Sequence, residues 1–171
     1  MDYQIDSRNH RSQEVRVGES DQEVAAFRKV NFFIQNLKAE VGGLDYEMKL
    51  AAPWNGFRYQ LVQAGRVIAT AKRHGRMHAF DASRPLHRHP LAEFELDVSG
   101  RTMTLTPLDR HGTTFRLDEG GTECGRLAMR PFDAQRGGEW QEDLTAPLGW
   151  SAPLAAWIGW LAREGRSRMS K

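Results

Sequence analysis

Four histidines lie close enough in sequence to raise the question of a metal site. His87 and His89 alternate along one stretch of chain, with His74 and His78 upstream. Imidazole nitrogens are common ligands of transition metals. Arg88 stands between the first pair, and a cation beside a divalent ion raises the cost of binding it. We therefore expect these histidines to be exposed loop residues and expect no metal site.

Catalytic side chains are equally weakly indicated. Cys124 is the one cysteine, but a nucleophile needs a base within hydrogen-bond reach, and no sequence spacing ties a histidine to it. Glu93, Glu95 and Asp97 share one strand face, whereas paired catalytic carboxylates need the opposing walls of a cleft. Motifs for nucleotide loops, zinc proteases and serine hydrolases are absent from the sequence. We expect a non-enzymatic protein that needs no cofactor.

A basic segment is the strongest sign of a partner. Residues 66–89 carry a net charge of +5 with histidines neutral, whereas residues 90–162 carry −5. The segment predicts an anion-binding surface formed by Arg66, Lys72, Arg73, Arg76, Arg84 and Arg88. Anionic lipid or another phosphate-bearing partner fits such a surface, and a solvated surface of mixed charge is the alternative. The whole chain carries only +2, an excess too small to favour nucleic acid.

Length and composition indicate the domain organisation of the chain and the compartment in which it folds. The 171 residues, 40% hydrophobic and 27% charged, suit one folded domain over residues 1–171. A single cysteine excludes an internal disulfide, which favours a reducing compartment. The N-terminus is acidic and polar where a secretory signal would be basic and then apolar. We expect a cytoplasmic protein.

Alternation of apolar and polar residues predicts strands over most of the chain, about residues 3–146. The two clearest runs are Leu44 to Leu50 and Ala92 to Val98. Others are Phe57 to Leu61, Thr102 to Thr106 and Phe115 to Leu117, with weaker ones at 14–17, 24–30, 32–34, 37–41, 67–71 and 126–129. Glycine-containing turns separate these runs. Residues 92–129 therefore predict an antiparallel meander, and parallel α/β architecture is not expected.

One apolar segment follows the strands. Residues 151–164 read as a helix, with Ser151 at the N-cap and Gly165 at its end, before a basic tail over 165–171. Leu154, Trp157, Ile158 and Leu161 form one face, and the other face is alanine, glycine and tryptophan. A span needs about 20 apolar residues, so this shorter helix is expected to be enclosed by protein.

Short strands followed by one apolar helix resemble the tubby C-terminal-like superfamily, which includes phospholipid scramblases and LURP-one-related proteins. The resemblance rests on the run Trp54 to Val62, its return strand Gly65 to Ala71, the pair of strands around Phe94 and Met103, and the helix Pro153 to Leu161. It implies a closed antiparallel barrel of about twelve strands around the helix. A β-sandwich with a packed helix is the open alternative.

Tubby domains are associated with phosphoinositides, and this is what the resemblance implies about function. It assigns no site residue here, because no lysine and arginine pair and no acidic calcium loop can be matched. We expect a tubby-like binding domain that engages anionic lipid. A protein-interaction scaffold and a small-ligand barrel or enzyme with an internal cavity stay open.

Overall fold

A computed structural model describes residues 1–8, 14–19, 22–29, 36–51, 58–74, 93–109, 112–131 and 140–167. Twelve strands form one closed antiparallel barrel in which each strand pairs with its sequence neighbours and β1 pairs with β12. The strands are β1 Asp2–Arg8, β2 Glu14–Glu19, β3 Gln22–Lys29, β4 Leu37–Val41, β5 Leu44–Ala51, β6 Arg58–Gln63, β7 Arg66–His74, β8 Glu93–Val98, β9 Arg101–Pro107, β10 Thr114–Glu119, β11 Thr122–Pro131 and β12 Trp140–Thr145. One helix, α1 Ala152–Ser167, follows them.

The predicted barrel is confirmed, and the sandwich alternative is not the observed architecture. Strands β8 to β11 form the predicted meander, with Phe94 and Leu105 paired in register and both fully buried. Leu96, Met103, Phe115 and Leu117 also point inward, as their alternation predicts. The weak strand expected at 32–34 lies outside the described residues.

Helix α1 fills the barrel, as its lack of a polar face predicts. Every residue from Ala152 to Ala162 is buried, and Trp157, Ile158 and Leu161 are fully so. The helix packs against β1, β2, β3, β6 and β12, and Trp160 meets Tyr59 of β6 edge to face at 5.4 Å between ring centroids. Within the described part of the chain, α1 is too short and too polar at its C-terminal end to cross a membrane.

The two ends of the barrel are built differently. Four two-residue turns, at 42–43, 64–65, 99–100 and 120–121, lie at one end, which we call the hairpin end. Both residues of each turn have positive φ, the geometry that matches the twist of paired strands. Ala64 and Ser99 adopt it at φ 46° and 53° without being glycine. The connections β1–β2, β3–β4, β5–β6, β7–β8, β9–β10 and β11–β12 join strands at the other end, which we call the long-loop end.

Candidate functional site: a cationic stripe on the barrel surface

The predicted basic segment is split along β7. Arg66 begins the strand at the hairpin end, and Lys72 follows six residues later towards the long-loop end. At about 3.3 Å per residue the two Cα atoms are roughly 20 Å apart, too far to share one small anion. Arg73 adjoins Lys72 but pairs with inward-facing Phe94 and is half-buried. The remaining predicted residues Arg76, Arg84 and Arg88 lie outside the described residues.

Lys72 instead joins cations that are distant in sequence. It pairs in register with Arg58 of β6, and both side chains face outward and are exposed. Lys49 of β5 pairs with Gln60, which places it diagonally beside Arg58. Direct outward partners have Cβ atoms about 5 Å apart and diagonal ones about 7–8 Å, within reach of these long side chains.

Strands β4 and β3 continue the series. Lys38 of β4 pairs with Glu47 and therefore lies diagonally beside Lys49, while Arg28 of β3 pairs directly with Lys38. The carboxylate of Glu47 accepts a hydrogen bond from Asn36 Nδ2 at 2.8 Å. We call Arg28, Lys38, Lys49, Arg58 and Lys72 the cationic stripe. It crosses five adjacent strands, a width of about 19 Å at the usual strand spacing.

The basic side chains of the stripe differ from those on the opposite side of the barrel in whether they form ion pairs. Among the described residues, Lys38, Lys49, Arg58 and Lys72 form no ion pair. The arginines of β9 to β11 do so: Arg101 pairs with Glu119, Arg116 with Asp118, Arg126 with Glu123 and Arg130 with Asp143. Hydrogen bonding to Arg101 lowers the pKa of Glu119, so that pair stays ionised at neutral pH. Positive charge is therefore available to a partner on β4 to β7 and largely matched by acids on β9 to β12.

A shallow cleft lies at the β7 end of the stripe. It has a volume of about 210 Å³ and is lined by residues of β6 to β9, most of which have outward-facing side chains. Arg58 and Lys72 form one wall, and Glu95 and Asp97 of β8 the other. The lining also contains Gln60, Thr70 and Thr102. Cations and carboxylates thus face the same small volume.

The carboxylates of this cleft are held in place from outside it. Glu95 Oε2 lies 2.8 Å from His74 Nε2, and Asp97 Oδ1 accepts a hydrogen bond from Gly100 N at 2.9 Å. Lys72 is the register partner of Glu95, yet the two form no ion pair. The cleft therefore presents both signs of charge without joining them directly.

A second, larger cleft of about 470 Å³ lies nearer the hairpin end, between β4 and β6. Its charged lining is mainly acidic, because Glu40, Asp45 and Glu47 outnumber Lys38. Glu40 and Asp45 are register partners, so like charges face each other across the two strands. An anion would bind here less readily than along the rest of the stripe.

The structure also shows where the candidate nucleophile and the candidate metal-binding histidines lie. Cys124 is partly buried on β11, its Sγ lies 3.4 Å from Leu117 O, and burial raises the pKa of its thiol. His74 is held by Glu95, while the other histidines named above lie outside the described residues. In the part of the chain that can be described, no three His, Cys, Asp or Glu side chains are grouped to hold a metal ion.

Sequence reasoning missed four of the five stripe cations. Arg28, Lys38, Lys49 and Arg58 lie on four strands, β3 to β6, one on each, and only the register between strands makes them neighbours. Alternation does predict that each faces water, since each flanks a buried residue.

Comparison with known proteins gives no match to this chain. No family model, no curated protein sequence and no solved structure matches it.

Proposed function

We propose that the chain is a non-enzymatic, tubby-like binding domain that engages anionic lipid through the cationic stripe. The observation that carries the proposal is the run of neighbouring cations on β3 to β7, four of which form no ion pair among the described residues. A broad, shallow, positively charged surface suits a layer of lipid phosphates better than a single small ligand.

The architecture supports a surface site over an internal one. The helix occupies the barrel interior with fully buried side chains such as Trp157 and Leu161. A small-ligand barrel would instead need an enclosed space lined by a few polar groups. The closed twelve-stranded barrel around one helix is also the architecture that the tubby resemblance implies.

The predicted basic segment adds to this proposal at the level of sequence. Strand β7 ends at the long-loop end, close to Arg58 and Lys72, and the connection that follows contains Arg76, Arg84 and Arg88. Each cation near an anionic surface contributes about 1 kcal/mol at moderate salt. A handful of such contacts gives weak binding that salt removes.

Co-sedimentation with vesicles tests the proposal. Vesicles of phosphatidylcholine with added phosphatidylglycerol are expected to bind the protein at low salt and release it as salt rises, because the attraction is screened. Neutral phosphatidylcholine vesicles are the control and should not bind it. Absence of binding to the acidic vesicles at low salt would contradict the proposal. Binding with an affinity that does not change with salt concentration would indicate apolar insertion instead.

A further inference from the structure

The cleft at the β7 end of the stripe carries more than positive charge, and a purely anionic ligand would not use all of it. Its cationic wall is Arg58 and Lys72, which are direct register partners. Its acidic wall is Glu95, one strand further on, with Asp97 two residues along the same strand. A phosphate placed against the cations leaves these carboxylates facing the rest of the ligand.

The spacing of the walls indicates which second group would fit. Adjacent strands are about 4.8 Å apart, so the two walls are separated by one to two such steps. A phosphoester with a primary ammonium on a two-carbon arm is short enough to place its phosphate on one wall and its ammonium on the other. Glu95 and Asp97 are acceptors for the ammonium protons. Thr70, the register partner of Asp97, adds a neutral polar group beside the acidic wall, and Gln60 and Thr102 are also part of the lining.

We propose that this cleft recognises phosphoesters that carry a primary ammonium group, such as the phosphoethanolamine and phosphoserine headgroups, in preference to phosphates that lack one. The inference rests on the proposed function, since it names the ligand chemistry at one end of the same stripe. The carboxylates set the preference, because they repel a bare phosphate and attract the ammonium. The same chemistry could come from a lipid headgroup or from a free phosphoester.

Two vesicle compositions of equal surface charge test the lipid source. Phosphatidylserine and phosphatidylglycerol each carry one net negative charge, but only phosphatidylserine has an ammonium group. At equal mole fraction in phosphatidylcholine, vesicles with phosphatidylserine should bind about twofold to fivefold more tightly, a ratio that corresponds to one added charge-assisted contact at an exposed site. The double variant Glu95→Gln, Asp97→Asn should lose this preference while still binding phosphatidylglycerol.

Soluble probes test the free source. Nuclear magnetic resonance titration of the protein with phosphoethanolamine and with inorganic phosphate should show tighter binding of phosphoethanolamine, at resonances of β7 and β8. A preference in solution without one on vesicles would support the cleft and assign it to a free phosphoester. Thermal unfolding of the double variant should match the unaltered protein, because both carboxylates are exposed.

The inference and the proposed function fail in different ways. Equal binding of both vesicle types together with equal binding of both soluble probes would overturn the ammonium preference and leave the stripe as a general anionic site. A preference that survives in the Glu95→Gln, Asp97→Asn variant would also overturn it. Loss of all vesicle binding would instead contradict the proposed function itself.

Discussion

The carboxylate of Glu142 lies directly against the backbone of Gly159 inside the barrel. A Cβ atom at residue 159 would overlap Glu142 Oε2 and would lie 3.0 Å and 3.2 Å from Ile5 Cδ1 and Cγ2. Glycine therefore lets α1 approach β1 and β12 closely. Glu142 is fully buried, the one charged residue so placed among the described residues.

Replacing this glycine should destabilise the protein even though alanine is the better helix former. Gly159→Ala would gain about 1 kcal/mol of helix propensity in an open helix. Overpacking against two strands costs about 1–3 kcal/mol, so we expect a net fall in the free energy of unfolding, measured by urea denaturation. Making the same change in a Glu142→Ala background should reduce the loss. An equal loss in both backgrounds would show that the carboxylate is not the obstacle.

Truncating adjacent side chains of β8 should have very different effects on stability. Phe94 is fully buried, so Phe94→Ala should cost about 3–5 kcal/mol of unfolding free energy. Glu95 faces water and its ion pair with His74 is exposed, so Glu95→Ala should change stability little. Thermal unfolding of the two variants compares them directly. Similar losses would mean that the strand has the opposite face inward.

The thiol of Cys124 should react slowly in the folded protein. Burial raises its pKa above the ordinary value, with the neighbouring Glu119 adding to the shift, so less thiolate is present at neutral pH than in the unfolded chain. The rate of alkylation by iodoacetamide should therefore rise on unfolding in denaturant. A folded protein that reacts faster than the denatured one would indicate an activated cysteine.

The sequence predicts the barrel well because most of its strands have one buried face and one solvent-exposed face. No alternating run predicts strand β12 individually, because Glu142 occupies an inward position and breaks the alternation. Glu142 lies against the backbone of Gly159 on α1, a relationship that no local pattern reveals.

The cationic stripe could not be predicted for a different reason. Arg28 and Lys72 are 44 positions apart in sequence, and their common surface depends on the register of four strand pairs. Clustering along the chain pointed instead to residues 66–89, and within that segment β7 separates Arg66 from Lys72. Charge that is contiguous in sequence is thus partly dispersed by an extended strand, while dispersed charge is gathered by the sheet.

In the proposed function the stripe, and not the net charge of the chain, attaches this protein to anionic lipid. Two triple variants that remove the same charge separate these explanations: Lys49→Gln, Arg58→Gln, Lys72→Gln in the stripe, and Arg101→Gln, Arg126→Gln, Arg130→Gln on the side where arginines are ion-paired. At about 1 kcal/mol for each contact, the stripe variant should lose roughly two orders of magnitude in affinity for vesicles with phosphatidylglycerol. The control variant should bind nearly as the unaltered protein does. Equal losses in the two variants, or a stripe variant that binds normally, would contradict the account.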